Sequence, residues 1–255
     1  MADELRGKAA LATGGARRVG RVICLALAEQ GINVAFNYRR SKAEAEHTLK
    51  GLEAKGVRAL AIQADLTELR ACDELIGKAR DSFGKVDILI NNASDFPKTP
   101  IEDLAKDPGK FQEDFNALVN LHVRAPLYLG MQLGLQMKAN GWGRIINITD
   151  RVTVKGQAYR NWILYLVTKY GLFGVNQTLA EELKPEVTVN AVAPGLTIAP
   201  DHLNESQLEK VRDGLPLKHE ADPEEIAADV IHLIRSRSKT GSVILTDSGA
   251  GVHTY

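Results

Sequence analysis

Short, uninterrupted apolar runs alternate along this chain with longer stretches of helical spacing. Lys8-Ala9-Ala10-Leu11-Ala12-Thr13 is apolar and ends in glycines, which predicts a first buried strand. Val22, Ile23, Leu25, Ala26 and Leu27 then recur at helical spacing, and Gly31 is placed to stop that helix. Asn33 to Tyr38 reads as a second strand, the charged, alanine-rich residues 41–55 as a surface helix, and Val57 to Ala64 as a third strand. A helix over Thr67 to Phe83 and a fourth strand over Val86 to Ile90 follow. Residues 111–139 carry one long helical pattern, Arg144 to Thr149 a fifth strand, residues 162–183 a helix, and Val187 to Val192 a sixth strand. Short helices near 204–213 and 223–236 precede a last strand over Ser242 to Thr246.

Strands that are apolar on both faces and separated by helices form parallel sheets covered on both sides. The expected fold is therefore α/β, a single-domain Rossmann-type doubly wound parallel sheet over residues 1–255, with about seven strands and helices on both faces. No internal repeat, low-complexity stretch or linker interrupts it. Two loops, 94–110 and 195–216, are rich in Pro, Asp and Gly and follow strand C-termini, the edge where open α/β sheets bind ligands.

Composition narrows the function by exclusion. The net charge is zero, so no basic excess points to nucleic acid or an anionic membrane surface. No apolar run approaches membrane-spanning length, and the polar stretch Met1 to Leu5 has no secretory core. The two cysteines, Cys24 and Cys72, sit in helical patterns without a CxxC or a His/Cys cluster, which reads as reduced thiols and no metal site. These features predict a cytoplasmic enzyme with a small-molecule substrate and neither nucleic acid nor membrane as a partner.

The chemistry begins in Thr13-Gly14-Gly15-Ala16-Arg17-Arg18-Val19-Gly20, between the first strand and the first helix. Gly14 permits a tight turn and Gly20 lets the helix start close to the sheet, so free helix N–H groups face a pyrophosphate. Arg18 stands where a middle glycine would complete GxGxxG. At the end of the second strand, where an NAD site places an acid on the ribose 2′-OH, the chain has Tyr38-Arg39-Arg40-Ser41. Guanidinium groups there suit a 2′-phosphate and thus NADPH; a solvated surface pair is the bland alternative. Asp65 and Leu66, after the third strand, are placed to meet the adenine, although Asp65 equally suits a helix cap. Tyr165 and Lys169 lie one turn apart on one helix face, where an ammonium would lower the phenol pKa and let the tyrosine deliver a proton near neutral pH. Asn91-Asn92-Ala93-Ser94 follows the fourth strand.

Together with Pro194-Gly195, these pieces resemble the short-chain dehydrogenase/reductase family over essentially the whole chain. The resemblance implies a general-acid role for Tyr165 and a Lys169 that binds the nicotinamide ribose and lowers the Tyr165 pKa. It implies that Gly14, Arg18, Val19, Asn92, Ala93, Ser94, Thr149, Pro194 and Gly195 line the NADPH site, and that the protein is a homotetramer. Three departures from the general pattern resemble the pteridine reductases within that family: Arg18 in the turn, Asp150 where a serine usually binds the developing oxyanion, and Phe96 after the Asn-Ala-Ser stretch. Arg40-Ser41 is similar to that subfamily's NADPH-selecting pair. A carboxylate opposes a developing alkoxide, whereas reduction of a ring C=N bond needs a proton on nitrogen. The expected activity is therefore hydride transfer from NADPH to a dihydropterin, giving a tetrahydropterin. In that reading Asp150 orients the pterin or relays a proton with Tyr165, Phe96 stacks on the heterocycle, and Arg18 and Ser94 contact the substrate. The alternative is an NADPH-dependent reductase of a ketone, quinone or 3-oxoacyl thioester. The family's usual asparagine on the long helix falls on His122, which reads either as a subfamily trait or as a buried histidine bonded to a carbonyl. Residues 150–165 run about two residues longer than usual, a loop difference of a common kind, and the 196–216 loop is expected to cover the substrate.

Overall fold

A computed structural model of the chain describes residues 4–156, 158–198 and 205–252. Seven parallel strands form one sheet in the order β3-β2-β1-β4-β5-β6-β7. They are β1 (Ala9–Ala12), β2 (Asn33–Tyr38), β3 (Ala59–Gln63), β4 (Ile88–Asn91), β5 (Gly143–Ile148), β6 (Val187–Pro194) and β7 (Val243–Thr246). The chain runs outward from β1 to β3 and returns to place β4 beside β1. That reversal opens a crevice at the C-terminal ends of β1 and β4.

Alternate side chains of each strand feed two cores. Ala10, Ala12, Val34, Phe36, Ile88, Ile90 and Ile146 pack under α1 (Arg18–Glu29), α2 (Lys42–Glu53) and α10 (Pro223–Arg235). Leu11, Ala35, Leu89, Ile145 and Val189 face α3 (Leu69–Phe83), α6 (Ala125–Ala139) and α8 (Ile163–Leu183). The period-two burial of both faces explains why the strands carry no polar alternation. Cys24 and Cys72 are buried, unpaired thiols within these cores.

Two expectations change. The long pattern over 111–139 is realised as α5 (Pro108–Val119) and α6, joined by a single π turn over Asn120–Arg124. The extra residue of a π turn shifts the face presented and leaves apolar periodicity nearly intact, so the sequence pattern does not reveal it. The stretch 94–110, expected as loop, contains α4 (Ile101–Lys106), which Pro100 precedes and Glu102 and Asp103 favour in its first turn. The short α7 (Val152–Lys155) follows β5, and α9 (Glu205–Gly214) comes past β6, while residues 199–204 of the expected substrate cover lie outside the described residues. Among the described residues, no helix is long and apolar enough to cross a membrane, and no cluster of three or more His, Cys, Asp or Glu side chains is disposed to hold a metal ion.

Candidate active site

The turn after β1 is built by close backbone approach. Gly14 has φ +65°, and a Cβ there would lie 2.9 Å from the Cα of Ala93. A Cβ on Gly20 would lie 2.1 Å from the Gly14 carbonyl oxygen and 2.5 Å from Asn92 Nδ2. Arg18, where a GxGxxG turn would have its middle glycine, adopts a left-handed φ of +54°. That costs an L-residue about 1–2 kcal/mol. The Arg18 guanidinium donates 2.7 Å to the Ile198 carbonyl, tying the turn to the loop after β6. The start of α1 has no side-chain cap and no acid in its first turn, so its positive end is left for an anion. This glycine cradle and uncapped helix start fit a dinucleotide pyrophosphate, and Val19 sits half-buried beside them.

Gly20→Ala is expected to weaken NADPH binding at least about tenfold, because a methyl group at 2.1 Å forces the Gly14 carbonyl out of place. Fluorescence titration checks this; wild-type affinity would show that the turn is not the pyrophosphate site.

Thr13 and Asn92 fasten the turn to β4. The Thr13 hydroxyl accepts from the backbone N–H groups of Asn92 and Ala93, each at 2.9 Å. The Asn92 side-chain amide donates to the carbonyls of Thr13 and Gly14 at 2.9 and 3.1 Å. Asn92 and Ala93, expected to touch the cofactor, thus shape the turn that would receive it. Asp65 spends its carboxylate on the N–H and hydroxyl of Thr67 at 3.0 and 2.8 Å, closing a turn ahead of α3; the N-cap position of α3 is Glu68, so Asp65 is not the helix cap that stood as its alternative. The Leu66 side chain is buried in the core, so only its backbone is left to meet an adenine. Thr149 donates its hydroxyl to the Val192 carbonyl at 3.2 Å. Gly195 packs so closely that a Cβ would lie 2.8 Å from Asp247 Cα, and the Pro194 carbonyl accepts from the Arg151 N–H at 3.1 Å. At the end of β2, Tyr38 is half-buried, Arg40 is exposed, and Ser41 precedes α2 without capping it through its side chain. Arg39 pairs with Asp95 at 2.9 Å.

The chemical centre is the carboxylate of Asp150. Tyr165 Oη donates to its Oδ2 at 2.9 Å, while Tyr159 Oη and the Val152 N–H each donate to its Oδ1 at 3.0 Å. Burial, reinforced by Asp150, pushes the Tyr165 phenol well above its ordinary pKa. The net shift is therefore upward, opposite to the lowering expected from Lys169. Lys169 Nζ instead donates to the Ile148 carbonyl at 2.9 Å and lies 5.7 Å from the Tyr165 ring centroid. Burial pulls the Lys169 ammonium down to about 8, with Asp150 opposing the shift. In this arrangement the charge next to the phenol is the carboxylate, which keeps the proton on Tyr165. Phe96 packs edge-on to Tyr165 at 4.5 Å and stacks on Trp162 at 5.0 Å. Phe96 remains 40% exposed, which leaves ring surface for a flat ligand. Ser94 is exposed at the same edge.

Sequence reasoning missed Tyr159 and Thr168 and left His122 open. His122 lies in the π turn, fully buried and neutral, because burial, aided by Lys169, holds its pKa well below the usual value. The Asp95 N–H donates to its Nε2 at 3.2 Å, which fixes that nitrogen as an acceptor and places the ring proton on Nδ1. Ser94 Oγ, 3.0 Å away, therefore donates to Nε2 as well. Nδ1–H donates to Thr168 Oγ1 at 2.8 Å, and Thr168 donates to the Tyr165 carbonyl at 2.9 Å. The histidine thus bonds a hydroxyl rather than a carbonyl, and it joins the loop after β4 to the helix that carries Tyr165. Tyr159 sits in the lengthened stretch after Asp150, whose only sequence signal is that extra length.

Residues 8–210 match the short chain dehydrogenase family. A 3-oxoacyl-[acyl-carrier-protein] reductase of Staphylococcus epidermidis is 33% identical over 250 residues, covering 95% of this chain and 98% of its own length. A 3-oxoacyl-[acyl-carrier-protein] reductase of Synechocystis is 32% identical over 249 residues, 96% of this chain and 97% of that protein. Among solved structures, the alternative dihydrofolate reductase 1 of Brucella canis, complexed with NADP, superposes with a TM-score of 0.85 at 30% identity, over 97% of this chain and 95% of that one. A short chain dehydrogenase from Burkholderia cenocepacia in complex with NADP gives 0.86 at 31% identity, over 97% and 99%.

Proposed function

The chain belongs to the short-chain dehydrogenase family, and from that premise we propose that it reduces a pterin-type ring C=N bond, taking a dihydropterin to a tetrahydropterin with NADPH. It is an NADP-using oxidoreductase of that family. The observation that carries the pterin reading is Asp150 Oδ2 at 2.9 Å from Tyr165 Oη. A carboxylate bonded to the proton donor suits a substrate that presents N–H groups and gains a proton on nitrogen. It opposes the alkoxide that forms when a ketone is reduced.

NADPH, when bound, supplies the hydride. Gly14, Arg18 and the start of α1 hold its pyrophosphate, and Arg39, Arg40 and Ser41 hold its 2′-phosphate. Tyr165 Oη gives its proton to the ring nitrogen as the neighbouring carbon is reduced. Asp150 orients the ring through its N–H groups and relays the replacement proton. Lys169, charged and bound to the Ile148 carbonyl, offsets the negative charge left on Tyr165. Phe96 offers its open side to the flat heterocycle, with Arg18 and Ser94 at the rim. In this reading the enzyme works in the cytoplasm as a homotetramer, and exposed Met131 and Leu135 on α6 with Val167 and Tyr170 on α8 supply apolar surface that such an assembly would bury.

NADPH oxidation measured across dihydropterins, dihydrofolate, quinones and 3-oxoacyl thioesters tests this reading. Turnover of a 3-oxoacyl thioester without turnover of any pterin would favour the second reading, which the Staphylococcus and Synechocystis relatives support. A pH profile gives an independent check. Lys169 loses its charge as the pH rises through about 8, so kcat/KM for reduction is expected to fall above that point. A flat profile to about pH 9.5 would remove Lys169 from the mechanism.

A further inference from the structure

We propose that Asp95 is a cofactor-specificity residue that competes with the NADPH 2′-phosphate for Arg39. The inference rests on the reading that the segment Tyr38–Ser41 receives that phosphate.

Arg39 lies just past β2, and its Nη2 meets Asp95 Oδ2 at 2.9 Å across the crevice between β2 and the loop after β4. That contact occupies Nη2, so a phosphate that takes both terminal nitrogens of the guanidinium in a bidentate bond has to compete with Asp95 for it. Asp95 is not a drifting surface acid. Its backbone N–H is fixed on His122 Nε2 at 3.2 Å, and His122 is fully buried and anchored in turn on Thr168. The Asp95 backbone therefore stays in place when Arg39 turns toward another anion, and keeps the carboxylate within a side chain's length of that anion. Asp65, the other acid on this side, bonds Thr67 and acts on Arg39 only through space, without a direct bond to it. The Arg39 backbone is also held, since its carbonyl accepts from Gln63 Nε2 at 3.1 Å. Swapping partners thus needs only side-chain movement on two anchored backbones.

Binding a 2′-phosphate then costs the pair with Asp95, whereas binding a cofactor with a plain 2′-OH does not. Asp95 accordingly weakens NADPH relative to what Arg39 would otherwise give, and leaves NADH untouched. Both side chains are partly exposed, at 37% and 52%, so the effect is modest and shrinks with salt.

The test is calorimetric titration of the full-length protein with adenosine 2′,5′-bisphosphate and with 5′-AMP. Asp95→Asn is expected to bind the bisphosphate about three- to fivefold tighter at low ionic strength, with 5′-AMP unchanged. Arg39→Ala is expected to bind the bisphosphate at least about tenfold more weakly, and in that background the Asp95→Asn gain is expected to vanish. Unchanged or weaker binding by Asp95→Asn would overturn the inference, because the acid would then be idle or orienting the arginine for phosphate. Loss of binding in Arg39→Ala with no gain in Asp95→Asn would sink the Asp95 role alone. If Arg39→Ala left the bisphosphate unaffected, the phosphate reading of Tyr38–Ser41 would itself fail. Asp95→Ala serves as a second variant, and thermal melting confirms that each protein is folded.

Discussion

Tyr165→Phe is expected to lower kcat for reduction by about three orders of magnitude while leaving NADPH affinity within about twofold. The phenol is the group whose proton is both held and deliverable. Its pKa is pushed up by burial and by Asp150, so it stays protonated across the working pH range. Removing the hydroxyl removes the proton source and leaves the ring in place against Phe96 and His122. It also leaves Asp150 Oδ2 one donor short in a buried site, which is expected to cost about 1–3 kcal/mol of stability. Steady-state kinetics with thermal melting separates the two effects. A loss of kcat smaller than about tenfold would mean that another group supplies the proton.

Asp150→Ser is expected to exchange one substrate class for another. With a dihydropterin, kcat/KM should fall about a hundredfold or more, since the acceptor for ring N–H groups is lost. With a ketone or 3-oxoacyl thioester it should rise, because a hydroxyl donates to a developing alkoxide where a carboxylate repels it. The same change frees Tyr159, which donates to Asp150 Oδ1. Tyr159→Phe therefore makes a useful companion: it leaves the carboxylate in place and loosens only its orientation, so KM and kcat should move less than in Asp150→Ser. Asp150→Ser with unchanged pterin turnover would show that the carboxylate is structural. Equal loss on every substrate would show that it acts only through the fold.

Several elements could be read from the chain because the forces behind them are local or strictly periodic. Continuous apolar runs set the strands of a sheet buried on both faces, and the observed order confirms the doubly wound arrangement. The glycines at 14 and 20 are required by contacts that no Cβ would survive, so residue type alone announces them. Tyr165 and Lys169, four apart on α8, share a face by helix geometry. Asp150 was legible only as an unusual residue at a recognisable place.

The direction of the Tyr165 shift could not be read that way. Spacing puts Lys169 near Tyr165, but the ammonium is drawn to the Ile148 carbonyl and the carboxylate reaches the phenol first. Nor does spacing show that His122 bridges two loops, because its partners, Ser94, Asp95 and Thr168, are far from it in sequence and meet it through a π turn. The Arg39–Asp95 pair belongs to the same class. Period and residue type alone set the parallel sheet and the glycine turn after β1, and helix spacing put Tyr165 and Lys169 on one face. Which charge faces the Tyr165 phenol and which acid faces Arg39 came from the fold, because those contacts close between segments many residues apart in the chain.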